Sequence, residues 1–154
     1  HVYTKTALEP ATLSQLSCDF CHVHDAIPQA EVLELQKEAD ILLFLEDVDG
    51  KYAHKARLSF STKITDYLCA SKCILAVGCL DTAPMQYFQE YQAAIIATSE
   101  KEIADQLTIL SSTPEKLNEY AGRAYLCAIK NHNKEKIHRI VDETIDKVMM
   151  NVSR

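Results

Sequence analysis

The sequence predicts an α/β fold: one three-layer, Rossmann-like domain with a largely parallel sheet. Three observations predict it. Apolar runs of strand length alternate with helical periodicities along nearly the whole chain. Two of those runs, at 41–45 and 74–77, are apolar at every position, as in strands covered on both faces. No repeat, low-complexity tract or linker interrupts the pattern, so the 154 residues read as a single domain, 1–154, with enough chain for a real core.

The elements follow in order. Residues 2–4 form a short strand and residues 9–16 a helix. Residues 20–24 form the next strand. Pro28 then opens a helix carrying Val32, Leu33, Leu35 and Ala39. After the strand at 41–45 comes a loop over 46–60. Ser61 is the expected N-cap of a helix whose Ile64, Tyr67 and Leu68 share one face. The strand at 74–77 ends on Gly78. A helix at 84–90, a strand at 93–97 and a capping box of Ser99 with Glu102 lead to a helix buried through Ile103, Leu107 and Leu110. Thr113 and Pro114 open another, with Leu117, Tyr120, Ala121 and Ala124 at core spacing. The last helix, from about Lys134, has Ile137, Ile140, Val141, Ile145, Val148 and Met149 on one face.

Composition excludes several classes. A net charge of −6 and 7% aromatics without Trp argue against a nucleic-acid partner. No apolar run approaches a membrane span, so no transmembrane segment is expected. The six cysteines lie mostly in apolar segments, where a thiol packs as a small hydrophobe, and they read as reduced and cytoplasmic. Cys18-Asp19-Phe20-Cys21-His22 matches the C-x-x-C-H pattern of haem attachment, with His24 as a further possible ligand. Strand alternation over 20–24 would part Cys21 from His22, and a second zinc-ligand pair is missing, so no metal is expected.

The stretch from Ser61 to Gly78 carries the functional signal. Lys63 in a first helical turn, with no carboxylate expected there, opposes the helix dipole by about 0.3–1 kcal/mol unless an anion sits at that end. A bound phosphate would be such an anion; a lysine turned to solvent is the plain alternative. Open parallel sheets bind ligands at the carboxyl ends of their strands, here the loops 46–60 and 78–83. The first loop opens acidic with Glu46, Asp47 and Asp49 and turns basic with Lys51, His54, Lys55 and Arg57. It is either a phosphate-steering cluster or a self-neutralising surface loop. Neither a G-x-G-x-x-G nor a Walker A pattern is present.

Ala39-Asp40-Ile41-Leu42-Leu43, then Ser61 through Leu68, then Lys72-Cys73-Ile74-Leu75-Ala76-Val77-Gly78 resembles the carboxyl-terminal, donor-binding domain of family 4 glycosyltransferases with the GT-B fold. Leu80-Asp81 and the early His24-Asp25 turn before Pro28 also fit, and the resemblance covers most of 20–130. It implies half of a GT-B fold that binds a nucleotide-sugar donor as substrate, with no separate cofactor and generally no metal. Retaining transfer would occur in a cleft with a separate amino-terminal acceptor domain, so the chain would be a fragment of a two-domain protein and inactive alone. The resemblance puts phosphate at the backbone amides of Ser61 and Thr62 and at Lys63, ribose at Asp66, and Gly78 at the donor side of the strand. The chain departs from the family pattern in three places. Leu58 occupies the position of the first glutamate of Glu-x7-Glu, Ser71 and Cys73 stand where the family's Gly-Lys-Pro turn has Gly and Pro, and residues 2–5 offer no Arg for the diphosphate.

Two other readings compete. A non-catalytic nucleotide-binding or interaction module could keep the fold without the chemistry, favoured by Leu58 and the missing Arg. A receiver-like signalling domain is suggested by Asp47 after an apolar strand but lacks an acidic pair after the first strand. Fold alone does not choose among them.

Overall fold

The computed structural model describes residues 1–16, 18–46 and 57–152. The chain divides into two compact units, His1–Leu35 and Gln36–Arg154.

The first unit holds β1 (Val2–Thr4), α1 (Pro10–Leu16) and β2 (Val23–Asp25). The two strands pair in parallel, Val2 opposite Val23 and Thr4 opposite Asp25, across the intervening helix. The strand expected at 20–24 begins later than the sequence suggested. Cys18 and Cys21 face each other across an antiparallel bridge closed by Cys21 N–H donating to Cys18 O at 3.1 Å. That turn carries Phe20 out to 94% exposure, so an aromatic that reads as a strand residue sits at a turn tip. Helix α2 (Gln29–Glu38) runs across the boundary between the units in sequence.

The second unit is built on a parallel sheet in the order β3 (Ile41–Leu45), β4 (Cys73–Val77) and β5 (Ile95–Ala97). Its helices are α3 (Lys63–Cys69), α4 (Ala83–Tyr91), α5 (Glu100–Ser112), α6 (Pro114–Asn131) and α7 (Lys134–Val152). Period-2 alternation sorts the strand residues onto two faces. Leu42, Phe44, Ile74 and Ala76 pack with Ile64 and Leu68 of α3, Met85 and Phe88 of α4, and Ala124, Cys127 and Ala128 of α6. Cys73, Leu75, Val77, Ile95 and Ala97 pack on the other side with Ile103 and Leu110 of α5 and with Leu117 and Tyr120. The amino-terminal half of α6 thus joins one face and its carboxyl-terminal half the other. The unit is the three-layer, Rossmann-like α/β arrangement the alternation predicts.

β4 meets its expectation fully, buried at all five positions. β3 does not. It is parallel to β4 but is the edge strand of this sheet, with Leu43 49% and Leu45 63% exposed. A continuous apolar run therefore overstated its burial: Leu42 and Phe44 are buried on one face, while on the other only Ile41 packs against the core among the described residues. Glu46 N–H donates to Val77 O at 2.8 Å, so by alternation the Leu43 peptide points away from β4. The Tyr67 hydroxyl lies 3.4 Å from Leu43 O and supplies that edge carbonyl with a donor.

Three helix details also differ. Ser99 Oγ accepts from Glu102 N–H at 3.3 Å, as a capping box requires. The glutamate returns to the Thr98 N–H at 2.7 Å and the Thr98 hydroxyl at 2.9 Å, one residue before the cap. These bonds hold the Glu102 carboxyl below its usual range. Leu107, expected inside, is 43% exposed, while Leu110 is buried. On α7, the apolar face expected to pack is open, from Ile137 at 41% to Met149 at 63% exposure.

Candidate functional site

The expected ligand segment stands at the entrance to α3. The helix starts at Lys63, with Thr62 rather than Ser61 at the N-cap. Thr62 makes no side-chain cap, and Ser61 Oγ instead accepts from Lys63 N–H at 3.3 Å. This later start places Asp66 in the first turn, so the helix has the first-turn carboxylate that the sequence reading denied it. Lys63 and Asp66 are exposed, as is Thr62, and Ser61 is half-buried. Asp66 helps raise the Tyr67 phenol, whose shift comes first from burial. The acidic and basic residues at 47–55 lie outside the described residues. Arg57 lies within them, and its carbonyl accepts from Ala83 N–H at 2.8 Å, tying the end of that loop to the start of α4.

Gly78 is buried at the carboxyl end of β4. A Cβ there would fall 2.7 Å from Glu46 Cβ and 3.5 Å from Met85 Cγ, so glycine is required for the ends of β3 and β4 to close together. Its N–H donates to Ala97 O at 3.2 Å, extending the ladder to β5. The loop after it folds on itself. Thr82, fully buried, donates both its N–H and its hydroxyl to Cys79 O, at 3.2 and 3.1 Å. Of the five expected site residues, Ser61, Thr62, Lys63 and Asp66 share one short segment, whereas Gly78 sits inside the packed strand end.

Next to that segment is a polar cluster the sequence reading did not single out. Tyr87 of α4 brings its hydroxyl 2.8 Å from His132 Nε2 and 3.3 Å from Cys127 Sγ. Asn131 Nδ2 donates to the same hydroxyl at 3.1 Å. His132 Nδ1 lies 3.2 Å from Thr65 Oγ1 of α3. The cluster therefore pins three helices of one layer to one another. Phe60 packs edge-on to Tyr87 at 5.1 Å between centroids, so residues 61–64 are anchored on both sides, through Phe60 and through Thr65. Burial raises the Tyr87 phenol, aided by its bond to Cys127, and lowers His132 below the ordinary histidine range. Tyr87 and Tyr91 are one turn apart, and Cys127 and Asn131 likewise. That spacing was legible, but nothing in sequence brings His132 to Thr65.

Beside this cluster lies a cavity of about 310 Å³, walled by Tyr87, Tyr91, Ile137 and Ile140 and edged by Lys130 and Lys136. A second cavity, of about 450 Å³, lies in the first unit between residues 4–8 and β2. In the C-x-x-C-H stretch Cys18 is exposed and Cys21 half-buried, and the described residues contain no group of three or more His, Cys, Asp or Glu side chains placed to hold a metal. Cys73 is buried in the core, and burial pushes its thiol up to about 11. Among the described residues no helix is long and apolar enough to cross a membrane. Comparison with family models, curated proteins and solved structures finds no match to this chain.

Proposed function

We propose that this chain is the donor-binding domain of a retaining glycosyltransferase, taking a nucleoside-diphosphate sugar as substrate. The carrying observation is the position of residues 61–66. They follow the loop that leaves the carboxyl end of β3, and they are anchored through Phe60 and Thr65. A parallel sheet offers ligands that edge. Lys63 would neutralise the diphosphate beside the amides of Ser61 and Thr62, and Asp66 would accept from ribose hydroxyls. Gly78 would act indirectly, by closing the strand ends beneath the donor. Fixed amides and a cation at a departing diphosphate stabilise the charge that develops there. An acceptor domain would complete the cleft, so this chain alone transfers no sugar, and a cytoplasmic location suits the nucleotide donor.

A second reading, a nucleotide-binding or interaction module without chemistry, is favoured by Leu58. It is 88% exposed and offers no polar side-chain atom at the position where the family pattern has a glutamate.

Calorimetric titration of UDP, GDP and ADP tests the binding reading. Lys63→Ala is expected to weaken diphosphates more than nucleosides, and Asp66→Ala to weaken both by about tenfold or more, as loss of charge-assisted hydrogen bonds does. Unchanged affinity in both variants removes the site. Binding without transfer after an acceptor domain is supplied selects the second reading.

A further inference from the structure

We propose that the cavity beside Tyr87 and His132 is a second binding site, for a small organic anion with a flat apolar body. None of Ser61, Thr62, Lys63, Asp66 or Gly78 lines it, so the inference is independent of the donor site. At about 310 Å³ it lies at the small end of the ~300–1,000 Å³ range of ligand sites.

Charge sets the class. In a chain of net charge −6, the lining carries two lysines and no carboxylate. Glu90, the carboxylate that raises the Tyr91 phenol, is not part of the lining. Both ammonium groups are held in place. Lys136 Nζ donates to Lys130 O at 3.1 Å, and Lys130 Nζ stands 5.7 Å from the Tyr91 ring centroid. An ammonium has three N–H donors, so Lys136 keeps two for a ligand after that bond. These contacts also neutralise the end of α6, yet that role alone does not account for the apolar space beside them.

The walls set the body. Tyr87 and Tyr91 present rings 4.7 Å apart at centroids and inclined 45°. Ile137 and Ile140 line the same space and stay 41% and 52% exposed. A flat apolar group would cover these surfaces, which a bare inorganic anion would leave wet. The Tyr87 hydroxyl and Asn131 Nδ2 are already bonded to each other, so the floor is pre-organised and exacts no rearrangement on binding.

The test is a titration of the ¹⁵N-labelled chain with phenyl phosphate, inorganic phosphate and benzyl alcohol. Phenyl phosphate should move the amides of Asn131, His132 and Ile137 saturably, and the other two probes should need at least about tenfold higher concentration. The Lys130→Ala/Lys136→Ala variant should bind phenyl phosphate about tenfold more weakly. Wild-type affinity should fall as salt rises, a readout that needs no variant. The proposal is overturned by no saturable shift at these residues, by equal affinity in the double variant, by an affinity indifferent to salt, or by inorganic phosphate binding as tightly as phenyl phosphate.

Discussion

Gly78 and Glu46 show how one residue sets the carboxyl edge of the sheet. Because a Cβ at 78 would meet Glu46 Cβ at 2.7 Å, Gly78→Ala must push apart two strand ends that are hydrogen-bonded to each other. Overpacking of this kind costs about 1–3 kcal/mol, and denaturant unfolding is expected to show that loss. His132 sets a second, pH-dependent property. Burial lowers its pKa in the folded chain, so the folded state resists the charged form. The stability linked to His132 is then complete above the ordinary histidine pKa of about 6.5 and is lost as pH falls below it, where the unfolded chain takes up the proton first. The two ring nitrogens of His132 lie within hydrogen-bond reach of the Thr65 and Tyr87 hydroxyls, neither of which carries a charge at these pH values. The stability difference between wild type and His132→Gln is expected to shrink from pH 7 to pH 5. A difference that grows on acidification would contradict the sign.

At the scale of elements, the sequence carried the order of strands and helices because periodicity and turn chemistry are local. β4, the capped start of α5 and the Pro114 helix are where their residues place them. Features set by distant parts of the chain differ from what local pattern suggests. The runs at 41–45 and 74–77 look alike in sequence, but only one is central, since strand order depends on pairing partners far along the chain. Likewise, the one-residue difference in where α3 starts decides whether Asp66 lies in its first turn, and boundaries of that kind depend on cap geometry. The contrast between the two strands is measurable. Ile74→Ala, at a fully buried position, should cost about 2–5 kcal/mol. Leu45→Ala, at 63% exposure, should cost under about 1 kcal/mol, and equal losses in the two would mean β3 is covered on both faces.

At the scale of the whole molecule, the parallel β3-β4-β5 sheet and its two helical layers supply a carboxyl edge, and the segment 61–66 is the polar, anchored feature that follows from it. That the segment is anchored through Phe60 and Thr65 was hidden in the sequence. Tyr87 and His132 are 45 residues apart, and their meeting depends on how α6 crosses the layers. The alternative cavity, edged by Lys130 and Lys136, was hidden for the same reason. These two places give the proposed function a direct spatial test. Backbone amide shifts of the ¹⁵N-labelled chain during a UDP titration report where a nucleoside diphosphate binds. The saturating shifts should centre on Ser61, Thr62, Lys63 and Asp66, while Asn131 and His132 move little. Shifts centred on Asn131 and His132, or none that saturate, would contradict the proposed function.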